Sequence, residues 1–252
     1  MKNIVALIPA RYSSTRFPGK PLALLGGKPV IVHVCERVSQ AGVLPVVATD
    51  DQRIIDCVEQ AGYQAVMTSA DHRSGTDRVR EALDKIASEA VDVVINVQGD
   101  EPFVNPDDIR RLAALFDDRK TEIGTLVRRF DPVLGFDALF DPNLVKVVMD
   151  DAGYALYFSR SIIPYVRGKE WQEWLMTTMF HTHVGVYAYR PETLRKIAAL
   201  PQGHLEKAES LEQLRWLAAG YRIKCLETEG TTIGIDTPED LAAAEAYLAA
   251  NC

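Results

Sequence analysis

Through its first 120 residues the chain alternates short β-branched, apolar runs with segments whose apolar residues recur every three or four positions, and few folds satisfy that alternation. Ile4–Ile8, Val43–Ala48, Gln64–Met67 and Val91–Val97, flanked by Gly, Pro and Asp, read as buried strands. Between them, Ile31, Val34, Cys35 and Val38 share a helical face, as do Ile54, Val58 and Ala61, then Val79, Leu83 and Ile86, then Ile109, Leu112 and Leu115. Strands that return through helices predict a mostly parallel sheet with helices on both faces, the α/β class. The pattern changes near residue 125. Glu122–Arg128, Val145–Met149, Ala155–Phe158 and Val184–Tyr189 follow one another across turns rich in Pro, Gly and Asp, which predicts a smaller, partly antiparallel subdomain. Arg222–Leu226 reads as one more strand. Leu211, Leu214 and Leu217, then Leu241, Ala244 and Leu248, return to the helical period. The expectation is one domain over 1–252, with 130–190 as an excursion serving sugar binding or dimerisation.

With 252 residues, 47% of them hydrophobic, the chain can bury a sizeable core. No run of about 18 apolar residues occurs, so no membrane span is expected. The apolar start Met1–Pro9 is short, and Arg11, Arg16 and Lys20 follow at once, so it reads as a strand rather than a signal peptide. Cys35, Cys57, Cys225 and Cys252 are scattered without a CxxC pair, which suits a reducing cytoplasm. The net charge of −7 disfavours nonspecific nucleic-acid binding. Yet residues 1–35 hold Lys2, Arg11, Arg16, Lys20 and Lys28 and no acid. A basic opening on an acidic chain fits a local anion site, and equally a chance spacing of surface charge.

The first strand runs into Pro9-Ala10-Arg11-Tyr12-Ser13-Ser14-Thr15-Arg16-Phe17-Pro18-Gly19-Lys20-Pro21. This is neither a Walker A loop, which needs Gly where Ser14 stands and Ser or Thr where Pro21 stands, nor GxGxxG. Three cations, small hydroxyl residues and a Gly beside the last cation suit a triphosphate; a polar loop after an edge strand would also look like this. Further on, Val91–Val97 ends in Gln98-Gly99-Asp100-Glu101-Pro102. A carboxylate just past a central strand sits where α/β sheets bind ligands, although Gly-Asp is also a common turn. In Gly234-Ile235-Asp236-Thr237-Pro238-Glu239-Asp240, Thr237 reads as a helix N-cap and Pro238 as the first helical residue, which leaves Asp236 free to face a cleft. Magnesium takes one or two protein carboxylates and completes its shell with water and phosphate oxygens, so Asp100 and Asp236 together would suffice.

Other segments carry weaker signals. His72-Arg73-Ser74-Gly75-Thr76-Asp77-Arg78 opens a helix, either as a cap with Ser74 or Thr76 as N-cap or as a binding loop. His181 and His183 fall on one strand face with no third ligand evident. Leu211-Glu212-Gln213-Leu214-Arg215 reads by periodicity as an exposed helix face between core leucines.

Taken in order, Ile8–Leu22, His72–Arg78, Gln98–Pro102, Tyr154–Pro164, His183-Val184-Gly185-Val186-Tyr187 and Gly234–Leu241 closely resemble the CMP-Kdo synthetase family, across nearly the whole chain. Cytidylyltransferases acting on sialic acid begin similarly but usually end the loop in a Ser-Lys-rich segment. Those acting on methylerythritol phosphate open with a Gly-rich loop absent here. The resemblance implies a Rossmann-like nucleotidyltransferase sheet and transfer of CMP from CTP to Kdo (3-deoxy-D-manno-octulosonate), feeding lipopolysaccharide synthesis. It implies Ala10, Arg11, Ser14 and Lys20 at the CTP phosphates, His72, Ser74 and Gly75 at the cytosine or ribose, and Arg16, Lys20, Asp100 and Asp236 in catalysis. Asp100 and Asp236 would be the Mg2+ ligands. Arg78 would take the Kdo carboxylate, with Gln98, Arg160, His183, Glu212 and Gln213 around the sugar. Partners would be the two substrates and a second copy of the chain, with no nucleic acid and no membrane. A synthetase for an 8-amino or other acidic sugar, and a non-catalytic nucleotide binder, are the rival readings.

Overall fold

The computed structural model of the chain describes residues 2–14, 16–72, 74–86, 90–230 and 233–250; Thr15 and Arg73, within two of the motifs, and Cys252 lie outside them. The elements alternate as the periodicity predicts: β1 (Ile4–Ala10), β2 (Leu24–Leu25), β3 (Lys28–Pro29), α1 (Val30–Gln40), β4 (Leu44–Thr49), α2 (Gln52–Gln60), β5 (Gln64–Met67), α3 (Gly75–Lys85), β6 (Val93–Asn96) and α4 (Pro106–Ala114). Then come β7 (Ile123–Arg129), α5 (Gly135–Leu139), β8 (Lys146–Met149), β9 (Ala155–Ser159), α6 (Trp174–Thr177), β10 (His181–Tyr189), α7 (Pro191–Ala198), α8 (His204–Glu209), α9 (Gln213–Ala218), β11 (Ile223–Glu227) and α10 (Pro238–Ala250). The chain divides into two units, residues 1–114, 186–198 and 230–252 in the first, and 115–185 and 199–229 in the second.

In the first unit Val5, Ala6, Leu7 and Ile8 are buried on both sides of β1, as a central parallel strand requires. β1 lies between β4 and β6, both parallel to it, with Leu7 opposite Val46 and Asn96; β5 adds on the far side of β4. The chain steps outward from β1 to β4 and β5, then back past β1 to β6. Right-handed crossovers therefore put α1 and α2 on one face and α3 on the other. The reversal leaves a switch point between β1 and β6, where the loops after the two strands diverge and leave a crevice. Val186–Tyr189 of β10 runs antiparallel to β6. α1 buries Ile31, Val34, Cys35 and Val38 as expected. In α2, Ile54 and Val58 are buried, but Ala61 is the C-cap and exposed. Ile86 leaves helical geometry as the C-cap of α3. Ala244 of α10 packs with Leu25, Val30, Phe103 and Ile235, flanked by Leu241 and Leu248.

The second unit is mixed rather than simply antiparallel. β8 runs antiparallel to β9 and to β10, but β11 pairs parallel with β7. Two short helices, α5 and α6, interrupt what reads in sequence as a succession of strands. They bury Phe136, Leu139 and Trp174 against Phe130 and Phe180. β10 begins at His181, earlier than its β-branched run announces, because Thr182 pairs with Lys146 of β8. Leu211 is buried but precedes α9, whose first turn is Gln213. No helix among the described residues is long and apolar enough to cross a membrane.

Phe180 is 2% exposed in the aromatic cluster of the second unit. Phe180→Ala should cost about 3–5 kcal/mol in urea unfolding.

Candidate active site

β1 delivers the chain into the loop 11–20, and Gly19, at φ +74°, turns it into a short helical turn at Lys20–Leu22. Lys20 Nζ lies 2.5 Å from Asp100 Oδ2 and 3.0 Å from Asp236 Oδ1. Arg16 Nη2 lies 3.1 Å from the other oxygen of Asp236. Lys20 and the two aspartates, dispersed over more than 200 residues, thus meet at one ammonium. Burial by itself would lower the Lys20 pKa; the carboxylates of Asp100 and Asp236 outweigh it and hold it above its ordinary value.

Each aspartate has a local reason to be there. Asp100 follows β6 beyond Gly99, where a side chain would meet the Pro9 carbonyl oxygen at 2.8 Å, so only glycine lets this loop close on the end of β1. The segment carrying Asp236 is tied alongside, the Ile235 N–H donating to the Asp100 carbonyl at 2.9 Å while the Ile235 side chain is fully buried. Thr237 caps α10, its hydroxyl accepting from the Asp240 N–H at 3.2 Å, and the Asp240 carboxylate accepts from the N–H groups of Asp236 and Thr237 in return. Burial would raise the Asp240 pKa, but these donors hold it below its ordinary value. The cap therefore uses Asp240 and Thr237 and leaves the Asp236 carboxylate for Lys20 and Arg16.

The segment before α3 supplies another wall. Ser74 is the N-cap, its hydroxyl accepting from Asp77 N–H at 3.1 Å. His72 Nε2 bonds the carboxylate of Glu81, which also meets Lys85 and the Ser69 N–H. Burial would raise Glu81, but Lys85, Ser69 and His72 pull it down to about 2. Arg78, 3% exposed, donates to Asp50 Oδ2 at 2.8 Å and to Thr68 Oγ1 at 2.6 Å. Gln98 Nε2 donates to Asn96 Oδ1 at 3.3 Å. Ala10, Arg11, Ser14, Arg16, Lys20, His72, Ser74, Gly75, Arg78, Gln98, Asp100 and Asp236 all line one cleft of about 360 Å³ within the first unit.

Arg160, His183, Glu212 and Gln213 belong to the second unit. The Arg160 guanidinium donates to three backbone carbonyls, of Pro142, Glu209 and Ser210, and the Glu209 carboxylate accepts from Arg160 N–H and the Ser159 hydroxyl. His183 Nε2 and Thr125 Oγ1 share a hydrogen bond of 3.0 Å, and the ring meets Phe158 edge-on. Desolvation pushes His183 down to about 4. Glu212 pairs with Arg215, which is 8% exposed, and Gln213 is buried.

Sequence reasoning missed Asp50, Thr68, Glu81, Glu209 and Arg215, which hold the residues it singled out. Asp50 was within reach of the rule applied to Asp100, because it directly follows β4. Glu81 carries only the ordinary (i, i+4) pairing with Lys85, and nothing in its spacing points to His72.

Because His183 is held neutral in the folded chain while the unfolded chain carries an ordinary imidazole near 6.5, the unfolded state binds more protons between those values. This contribution to stability is intact above pH 6.5 and is lost as pH falls toward 4. Wild type should lose about 2 kcal/mol more than His183→Gln between pH 7 and pH 5 in urea unfolding; equal losses would refute the assignment.

The family model for cytidylyltransferases matches residues 5–224. The 3-deoxy-manno-octulosonate cytidylyltransferase of Parabacteroides distasonis is 54% identical over 250 residues, covering 99% of each chain. That of Porphyromonas gingivalis is 52% identical over 98% of this chain and 96% of its own. A solved CMP:2-keto-3-deoxy-manno-octonic acid synthetase complexed with CTP superposes with a TM-score of 0.90 and 42% identity over the whole of both chains. A 4-diphosphocytidyl-2C-methyl-D-erythritol synthase from Anaerococcus prevotii, 18% identical with a TM-score of 0.62 over 98% of this chain and 99% of that one, shares the fold. By sequence and by fold, then, the chain belongs to the cytidylyltransferase family, among the 3-deoxy-manno-octulosonate cytidylyltransferases.

Proposed function

We propose that this chain transfers CMP from CTP to the anomeric (C2) hydroxyl of Kdo, releasing pyrophosphate, in the cytoplasm and as a step toward lipopolysaccharide. The observation that carries the reading is the meeting of Lys20, Asp100 and Asp236 on the wall of a cationic cleft. The lining offers Arg11, Arg16, Lys20 and Arg78 against those two carboxylates, a balance suited to a triphosphate and an acidic sugar. End-to-end identity above one half with relatives named for this reaction supports the choice of substrates.

The residues divide the work by chemistry. The sugar hydroxyl attacks the α-phosphorus and gives up its proton to solvent, a new O–P bond forms, and the bond from the α-phosphorus to the oxygen bridging to the β-phosphorus breaks, releasing pyrophosphate. Arg16 and Lys20 stabilise the charge that accumulates on the departing pyrophosphate. Arg11, Ser14 and the backbone at Ala10 hold the phosphates, and His72, Ser74 and Gly75 hold the nucleoside. Arg78 presents a guanidinium already oriented by Asp50 and Thr68 to the Kdo carboxylate, beside Gln98. His183, Glu212 and Gln213 are assigned to the sugar. Arg160, its guanidinium spent on backbone carbonyls, would shape the sugar side through the turn it clamps.

Asp100 and Asp236 fit a divalent cation, Mg2+, because both direct hard carboxylate oxygens at one positive centre, here Lys20 Nζ. Such an ion takes one or two protein carboxylates and completes its shell with water and phosphate oxygens. When bound, such an ion supplies Lewis-acid polarisation and charge neutralisation at the triphosphate.

Pyrophosphate release should require CTP, Kdo and Mg2+ together and should stop on chelation. Lys20→Met and Asp100→Asn should each lower kcat/KM by about 10²-fold or more. Near-normal turnover of Asp100→Asn at saturating Mg2+ would overturn the scheme. CTP binding without pyrophosphate release across Kdo, 8-amino Kdo and other acidic sugars would favour the non-catalytic reading.

A homodimer through 130–180 belongs to the same proposal. Val133, Leu134, Phe140, Leu156, Tyr165, Trp171, Met176 and Met179 are all exposed in this stretch, and that concentration of apolar side chains supports the reading. Sedimentation equilibrium should give twice the 28.0 kDa chain mass, and Val133→Asp with Met176→Lys should shift it toward one. A wild-type monomer at micromolar concentration would refute the dimer.

A further inference from the structure

Ion pairs to Asp100 and Asp236 hold Arg16 and Lys20 at the far end of the loop 11–20, and the near end, at Tyr12, needs an anchor of its own. The described residues contain one. The Tyr12 carbonyl accepts from both the Ser14 and the Gly19 N–H at 2.9 Å, so its two ends close on Tyr12. The Tyr12 ring is covered from outside the loop by Arg53 of α2, whose guanidinium carbon lies 3.4 Å from the ring centroid. Arg53 is itself clamped, Nε donating to Asp51 Oδ1 at 2.9 Å and Nη2 to Asp51 Oδ2 at 2.6 Å. Asp51 is also the N-cap of α2, accepting from the Arg53 N–H at 3.0 Å, so the clamp is anchored to a helix end. Inside the loop the ring lies against Gly19, where a Cβ would meet it at 3.2 Å. Gly19 immediately precedes Lys20, which bridges the two aspartates.

We propose that Arg53 and Tyr12 are positioning residues, a cation–π latch that holds the loop 11–20 in the form that receives the nucleotide phosphates. The stacking sets where Gly19 stands and hence where Lys20 begins. The aromatic face is the element that matters, and Asp51 keeps the guanidinium flat over it. Preorganisation of this kind acts on binding, because without it the nucleotide must order the loop at the expense of affinity. The inference deepens the cytidylyltransferase reading and rests on the loop meeting a triphosphate.

The test compares the full chain with Arg53→Gln, Tyr12→Leu, Tyr12→Phe and the double variant Arg53→Gln/Tyr12→Leu, each confirmed folded by circular dichroism and thermal unfolding. Two readouts are taken: limited trypsin cleavage after Arg11 and Arg16 without nucleotide, and the Kd for CTP by calorimetry. Arg53→Gln and Tyr12→Leu should be cleaved several-fold faster and bind CTP about 3–5-fold more weakly. Tyr12→Phe should match wild type within about twofold, and the double variant should be no worse than the poorer single one, since one interaction is lost either way. Unchanged cleavage and affinity in the single variants, equal damage from Tyr12→Phe, or losses that multiply in the double variant would each overturn the latch. Should wild type fail to bind CTP, the functional reading falls, while the cleavage comparison still decides the latch.

Discussion

One ammonium joins three segments that are far apart along the chain. Lys20 Nζ, from the loop after β1, meets Asp100 from the loop after β6 and Asp236 from the approach to α10. Two carboxylates brought this close repel unless a cation lies between them, and a lysine this enclosed would shed its proton unless carboxylates kept it charged. Each side supplies what the other requires, so the three segments are specified as a set. The Ile235–Asp100 backbone bond and the buried Ile235 side chain fix the same junction without charge. The geometry therefore does not rest on electrostatics alone.

Outward from that centre, the residues that face the cleft are held by others behind them. Arg78 is oriented by Asp50 and Thr68, and His72 by Glu81, which is itself secured by Lys85 and the Ser69 N–H. In the second unit Glu212 is likewise paired with Arg215, while the Arg160 guanidinium is held by the backbone carbonyls of Pro142, Glu209 and Ser210. A charged side chain left to itself samples many rotamers and loses entropy when it binds. One fixed by a partner of opposite charge has lost that freedom during folding. The cleft thus presents a surface much of whose side-chain order is already established.

The switch point explains why the centre forms where it does. Because β6 lies on the opposite side of β1 from β4, the loops leaving β1 and β6 run apart and leave a crevice at their carboxyl ends. Gly99 lets the two loops start in contact at the strand ends before they part, and the loop 11–20 occupies the rim. The family resemblance shows in the loop sequences, but the sheet order gives them a common address.

Much of this was legible in the amino-acid order. The alternation through residue 120 required a parallel sheet, because periods of 2 and 3.6 are local properties that survive without knowledge of distant neighbours. Thr237-Pro238 announced a helix start, and by filling the cap left Asp236 available. The ordered motifs named the family and nearly every residue now found lining the cleft. Local pattern could not reveal that β11 would pair parallel with β7, that short helices would interrupt the second unit, or that Asp50, Glu81 and Arg53 would stand behind Arg78, His72 and Tyr12. Those are pairings between residues 9 to 100 positions apart, chosen by shape and charge once the chain has collapsed, and no periodicity in the sequence encodes them. The sequence by itself determined the alternating elements through residue 120 and the chemical groups this protein would carry; tertiary structure decided how the second unit is built and which of those groups would touch, because such contacts form only once distant segments meet.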